Sequence, residues 1–509
     1  MTERCAHLAA RTSHRHHRRE LHGDVLLVNR PDDPHAGARC DRERLLQPPA
    51  FPDPGAERRL LPQGSPDRRQ FLRTAASAAA VVAWPRHVET LAAQLDATTT
   101  QEFWPAVRSA FRIPDRRIYL NVGTLGVQPR VVVDAVVEHT HRVAESFPPA
   151  VDWPGLKERL GRLVGADPDG FVFPRNTTEA MNFVANGLEL EAGAQILTTD
   201  HEHIGGLCPW QLVAARRRLE LRQLSLPAPG ASDDAITGVF AGAIGPMTRV
   251  ISVSHVTFTT GRILPVAALA GLAREHGMIL VVDGAHPPGL MRLDVAGLDA
   301  DFYAASPHKW LLAAQGTGFL WMKPEWRTKL WPTLASGGWD DLTLGAHRFN
   351  HLGTMDESRL AGLDAALRFH ETIGPERVYE RIRAQRRRLF NGLARVDGLQ
   401  LVTEPDEARY AGMVSFSVAG VDSLALQNAL SRMTSADGEW SVRTRVIGEY
   451  DYGWMRLSPH VYNTDEDIDR AIALIAEAVR GLRNGSPSGP ASGAAARRAG
   501  MAGDRAAAS

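Results

Sequence analysis

The chain has 509 residues, 44% of them apolar, and 58 basic side chains balance 58 acidic ones. Balanced charge argues against a nucleic-acid partner or an anionic membrane surface as the main ligand, and the length predicts a large folding unit plus a smaller one. Only Lys157, Lys309, Lys323 and Lys329 are lysines, so a lysine in a pocket would stand out in a chain that otherwise uses arginine.

Residues 1–64 are rich in Arg, His, Pro and Asp without apolar periodicity and read as a disordered extension, ahead of a biological start expected shortly before Arg68. Ser65-Pro66-Asp67-Arg68-Arg69-Gln70-Phe71-Leu72-Arg73, followed by the mild apolar run Thr74 to Ala83, resembles a twin-arginine signal occupying residues 65–95. The expectation is an enzyme exported by the twin-arginine machinery to the periplasm or beyond, without a stable membrane span, since the run is too short to cross a bilayer. The alternative is an Arg-rich start of a surface helix on a cytoplasmic protein. Cys5 and Cys40 fall in the extension and Cys208 is alone in the folded body, where it reads as packed and inert, so no disulfide framework is expected.

Over residues 105–345 short β-like runs alternate with longer helix-like segments: Gly170–Phe173, Gln195–Thr198, Arg249–Val253, Met278–Val282, Asp301–Ala304 and Gly318–Met322. The alternation predicts an α/β large domain on a mostly parallel sheet, to whose smaller neighbour the N-terminal segment contributes. Over 346–483 the pattern changes to helices near Glu357–Thr372 and Pro375–Leu393, a strand pair near Leu399–Val402 and Met413–Val418, and a last helix Asp465–Leu482. This reads as a smaller α+β C-terminal domain. The Gly/Ser/Ala/Pro-rich residues 484–509 read as a disordered tail.

Three short motifs carry chemistry. The apolar run Met278–Val282 ends in Asp283-Gly284-Ala285-His286; in open α/β sheets ligands sit beyond the carboxyl ends of strands, although an isolated Asp-Gly can equally cap a turn. Ser306-Pro307-His308-Lys309-Trp310 follows another strand, and a desolvated lysine there would be a nucleophile, whereas an exposed one would be a loop residue. Asn176-Thr177-Thr178-Glu179 fits a capping box, and a helix N-terminus with two hydroxyls is also a phosphate cradle.

Taken in order, these motifs resemble the class V aminotransferase family of fold-type I pyridoxal 5'-phosphate (PLP) enzymes, most of all its isopenicillin N epimerase-like and cysteine desulfurase-like branch. The resemblance spans about Ile118 to Leu482 and implies a seven-stranded-type sheet. It implies Lys309 as the Schiff-base lysine and Asp283 as partner of the pyridine nitrogen; a carboxylate about 4 Å away is worth on the order of 4 kcal/mol at an effective dielectric of 20. It further implies His286 at the ring hydroxyl, His203 stacked on the ring with His201 as the competing choice, and Thr177, Thr178, Ser306 and His308 around the phosphate. Arg456, in Trp454-Met455-Arg456-Leu457-Ser458, matches an arginine for the substrate carboxylate, and Arg443, His255 and Asn121 match further substrate-side positions. Thr354 matches a turn that reaches the neighbouring subunit's cofactor phosphate, which implies a homodimer. No metal site is expected.

Desulfurases carry a nucleophilic cysteine on the loop that here reads Thr444-Arg445-Val446-Ile447-Gly448-Glu449, without a thiol. The resemblance therefore implies aminotransferase- or epimerase-type chemistry at the α-carbon of an amino acid or amino-acid-derived metabolite, with a C–S or C–C lyase as the alternative and persulfide formation disfavoured. A non-catalytic PLP-fold binding module would be expected to lose Lys309 or Asp283, or to gain a DNA-binding appendage, and the sequence does neither.

Overall fold

A computed structural model describes residues 102–145 and 151–485. The extension, the twin-arginine-like segment, Cys5, Cys40 and all but the first two residues of the proposed tail lie outside the described residues. No helix among the described residues is long and apolar enough to cross a membrane.

In chain order the elements begin with α1 (Phe103–Ser109), β1 (Arg117–Tyr119), α2 (Arg130–Glu145), α3 (Trp153–Val164), β2 (Phe171–Val172), α4 (Thr177–Gly187), β3 (Gln195–Thr199), α5 (Ile204–Arg217) and β4 (Glu220–Leu224). They continue with α6 (Asp233–Ala241), β5 (Thr248–Ser254), α7 (Val266–Glu275), β6 (Ile279–Asp283), β7 (Phe302–Ala305), β8 (Phe319–Met322) and α8 (Trp326–Lys329). The C-terminal part holds α9 (Ser358–Ile373), α10 (Pro375–Leu393), β9 (Leu399–Leu401), β10 (Val414–Val418), α11 (Ser423–Ser431), β11 (Met433–Ser435), β12 (Gly438–Arg443), β13 (Arg445–Ile447), β14 (Trp454–Leu457) and α12 (Asp465–Gly485).

The large sheet has seven strands in the order β2-β8-β7-β6-β5-β3-β4. Five of them, β7 to β4, pair in parallel, and β8 joins antiparallel to both β7 and β2. The fold is thus an α/β fold with a seven-stranded, mixed, mostly parallel sheet, as the resemblance implied. β6 and β7 are buried at nearly every position, as strands covered by helices on both faces must be. β4 is the strand that the sequence pattern did not reveal, because its Glu220, Arg222 and Gln223 face solvent or half-face it at the sheet edge.

Two smaller sheets make up the C-terminal layer: β13-β14-β10-β9, antiparallel throughout, and β1-β12-β11, in which β1 runs parallel to β12. Ile118 and Leu120 share an apolar cluster with Leu389, Phe416, Leu457 and Ile475, so the N-terminal segment packs with the C-terminal layer. α9 packs on α2, and its Leu360, Leu363 and Ala366 belong to the same cluster as the large sheet's Val253 and Val282.

Candidate active site

A cavity of about 240 Å³ opens where the carboxyl ends of β5, β6 and β7 meet the first turns of α4 and α5 and the edge of β14. Asp283, the last residue of β6, lies at its floor, fully buried, with Oδ1 accepting from Ala285 N–H at 2.9 Å. Burial pushes its carboxyl above the ordinary range, against the pull of the Lys309 ammonium. Gly206 of α5 sits so close that a Cβ there would lie 2.7 Å from Asp283 Oδ2, and a Cβ on Gly205 would lie 2.3 Å from Thr178 Oγ1. Two glycines are needed for α5 to approach this closely.

Lys309 lies in the turn after β7, partly buried, and lines the cavity. Desolvation lowers its amine to about 8; Asp283 opposes the shift, and Arg456 and Arg445 add to it. The turn is clamped by the N-terminal segment, since Gly126 N–H donates to His308 C=O at 2.8 Å and a Cβ on Gly126 would lie 2.2 Å from Lys309 C=O.

Thr177 and Thr178 open α4 on the cavity. Asn176 caps the helix through Oδ1, which accepts from Glu179 N–H at 2.9 Å, but Glu179 reaches back to Arg175 N–H rather than to Asn176, so the capping box is shifted by one residue. Thr177 N–H donates to Ser306 Oγ at 3.0 Å, tying the α4 terminus to the lysine turn. His308 also lines the cavity; its Nδ1 faces Thr317 C=O at 2.9 Å and therefore donates, and burial lowers the ring to about 4.

The histidines divide by the hydrogen bonds of their second nitrogen. His203 lines the cavity and caps α5, its Nδ1 accepting from Gly205 N–H at 3.0 Å, which makes the other ring nitrogen the proton carrier. Burial and the neighbouring cations lower this ring to about 3, so it is neutral near pH 7. His201 does not line the cavity: it turns to Thr259 Oγ1 at 2.6 Å and Tyr452 Oη at 3.3 Å. His286 accepts from Trp310 Nε1 at 3.0 Å through Nδ1, which leaves Nε2 as a buried donor without a protein partner.

Arg456 enters from β14 and is fully buried. Nη1 donates to Phe258 C=O at 2.8 Å and Nη2 to Thr124 Oγ1 at 3.2 Å, with Asn121 Oδ1 at 3.4 Å, while Nε has no partner. Among the described residues no carboxylate forms an ion pair with it. Burial and the repulsion of Arg445 lower its guanidinium to about 9.

Four sequence-derived positions lie elsewhere. Arg443 is exposed at the end of β12, paired in register with Tyr119, and Arg445 two residues later lines the cavity instead. The correction arises because the chain passes from one sheet to another at the buried Thr444, which re-aims the next side chain. His255 is buried behind the cavity, its Nδ1 3.0 Å from Tyr303 Oη, because alternation along β5 gives the cavity face to Ser254. Asn121 holds Arg456 from behind rather than lining the cavity. Thr354 borders a separate groove with Val143 and His351. Cys208 is exposed, not packed, on α5.

Ser254, Phe258, Thr124 and Arg445 are cavity residues that sequence reasoning did not single out. Behind Ser254 lies Glu202, fully buried, accepting from Ser254 Oγ and Thr199 Oγ1 at 2.6 Å each, with its carboxyl pushed up to about 7 chiefly by burial. The strand-end rule that found Asp283 applies equally to Ser254, which pairs with it in register.

Comparison with known proteins places this architecture. The profile of the aminotransferase class-V family matches residues 135–471. Isopenicillin N epimerase of Streptomyces clavuligerus is 34% identical over 393 residues, 72% of this chain and 96% of that protein. A cysteine desulfurase of Haloferax volcanii is 28% identical over 385 residues, 70% of this chain and 88% of that one. The solved structure of the cystine C-S lyase C-DES with cysteine persulfide superposes with a TM-score of 0.64 at 26% identity, covering 71% of this chain and 98% of the lyase. With the fold-type I sheet, the cavity at its strand ends and matches of this extent, the chain belongs to the class-V aminotransferase family and is a PLP-dependent enzyme.

Proposed function

We propose that the enzyme acts at the α-carbon of an amino acid or amino-acid-derived metabolite, by aminotransferase- or epimerase-type chemistry. The observation that carries this reading is the pairing, in one cavity, of a desolvated lysine amine lowered to about 8 with a buried guanidinium that has no ion-paired carboxylate. The first is the covalent anchor and proton carrier, and the second receives the substrate's α-carboxylate in a bidentate fork.

The remaining side chains fit the cofactor. The α4 terminus, with Thr177, Thr178 and Ser306, offers hydroxyls and a helix N-terminus to a phosphate, and His286 Nε2 offers a buried donor to the ring hydroxyl. Asp283 matches the ring nitrogen and His203 the ring face. His308, donating through Nδ1 to Thr317, meets a phosphate with a proton on its second nitrogen only when the phosphate's charge raises its pKa. When bound, PLP supplies an electron sink for charge developing at the substrate α-carbon. Lys309 would then take the proton from that carbon; its return to the opposite face of the same carbon would give the epimer, whereas transamination would need the proton delivered away from that carbon.

A C–S lyase outcome is the second reading, favoured by the likeness to the cystine C-S lyase. Persulfide formation is disfavoured, because the segment from Thr444 to Glu449 has no thiol and Cys208 does not line the cavity. We also propose a homodimer through the face of the Thr354 groove, where Val143, Trp331 and Trp339 are exposed, and twin-arginine export. Borohydride treatment of the PLP-loaded protein tests the central assignment. The cofactor should become fixed to the peptide bearing Lys309 and should wash out of Lys309→Ala; equal labelling elsewhere refutes the anchor.

A further inference from the structure

The second arginine of the cavity points to the kind of amino acid that binds. Arg445 and Arg456 are register partners across the antiparallel β13–β14 pair, so they stand directly opposite one another, and both line the cavity. Like charges opposed in a sheet are destabilising, and here one of the two is also fully desolvated. A local rule broken in this way, without a gain in packing, marks a functional position.

The only carboxylate paired with either arginine among the described residues is Glu449, which binds Arg445. That pair is four residues apart and partly exposed, 28% for Arg445 and 17% for Glu449, and it joins no distant parts of the fold. The fork of Arg456 suffices for an α-carboxylate, and the phosphate cradle at α4 lies on other elements. Arg445 lines the cavity with Glu449 as its partner, so a second substrate carboxylate would compete with Glu449 for it.

We propose that Arg445 and Arg456 form a two-guanidinium clamp for an amino-acid substrate that carries a second carboxylate, with Glu449 competing for Arg445. This inference rests on the α-carbon reading above. It makes the substrate class acidic and makes Glu449 a selectivity filter: a neutral side chain does not displace it, and a carboxylate does.

The test uses the PLP-loaded enzyme and ligands that bind without reacting. Calorimetric titration should find succinate or glutarate bound about tenfold or more tighter than butyrate. Arg445→Gln should erase that ratio, and Glu449→Gln should widen it. A ratio near one in the parent, or one unchanged by Arg445→Gln, overturns the clamp. If Arg445→Gln does not fold, Glu449→Gln decides alone, and a ratio that stays or narrows overturns the proposal. Spectral titration with aspartate and glutamate against asparagine and glutamine separates the two levels. No response to any amino acid refutes α-carbon chemistry itself, whereas equal responses to acidic and neutral ones refute only the clamp.

Discussion

Arginine does opposite work on α10 and in the cavity. On α10, Arg381 pairs with Asp465 at 2.7 Å, Arg387 with Glu407 at 2.6 Å and Arg388 with Asp469 at 2.7 Å, all at the protein surface. Arg386 of the same helix is 1% exposed, yet its Nη1 and Nη2 donate to the carbonyls of Pro405 and Glu404, so it serves as a brace between segments. Arg456 is as deeply buried as Arg386 and, like it, leaves Nε unpartnered, but Arg456 lines the cavity. Burial alone therefore does not mark a ligand-binding arginine. The mark is a buried guanidinium on a cavity wall, where a ligand can offset the desolvation cost that the fold bears.

Substitutions along this series should separate the roles, beginning with the largest effect. Arg456→Gln should lower kcat/KM by on the order of a hundredfold or more, the loss expected for a charge-assisted bidentate contact, with most of it in KM and little change in melting temperature. A fall in stability without a kinetic effect would make Arg456 a brace like Arg386.

Glu202 extends the comparison to buried acids. Its folded carboxyl titrates at about 7 against an ordinary 4.5, so the folded state retains a proton that the unfolded chain releases between those values. This contribution to stability is full below about 4.5 and is lost as pH rises through 7, by roughly 3 kcal/mol. Glu202→Gln mimics the protonated form, and its melting temperature should rise relative to the parent between pH 5 and 8. Parallel melting curves for the two proteins would show that Glu202 does not titrate there.

Lys309 supplies a smaller effect. With its amine at about 8, the rate at which apoenzyme takes up PLP should rise about tenfold from pH 7 to pH 9 and then level off. A rise that continues past pH 10 would place the amine in an ordinary aqueous environment. At the far end, Arg388→Ala should change stability by about 0.5 kcal/mol or less, measured by denaturant unfolding, and leave kcat/KM unaltered, as an exposed pair predicts.

Much of the site was legible because it is built from strand ends. An apolar run ending in an acid announces Asp283, and the run before Ser306 announces the lysine turn, since a chain leaving a parallel sheet must place its next residues at the carboxyl edge. The cap at Asn176 was legible for a similar reason: helix starts are local in sequence. Legibility failed where the chain turns between sheets. Arg443 and Arg445 carry the same residue type two positions apart, and the passage at Thr444 from the β12 sheet to the β13 sheet, invisible in composition, selects the second. His255 lost its place to Ser254 by one step of strand alternation.

The sequence by itself determined the α/β fold class and the order of the strand-end residues, because these follow from hydrophobic periodicity and from short motifs whose parts are neighbours in the chain, and the family resemblance carried by those motifs implied the cofactor. Only the tertiary structure decided which arginine faces the cavity, which histidine turns toward it, and that Glu202 lies buried behind Ser254. Those choices depend on register between strands and on the packing of segments hundreds of residues apart, where a shift of one residue reverses the direction of a side chain.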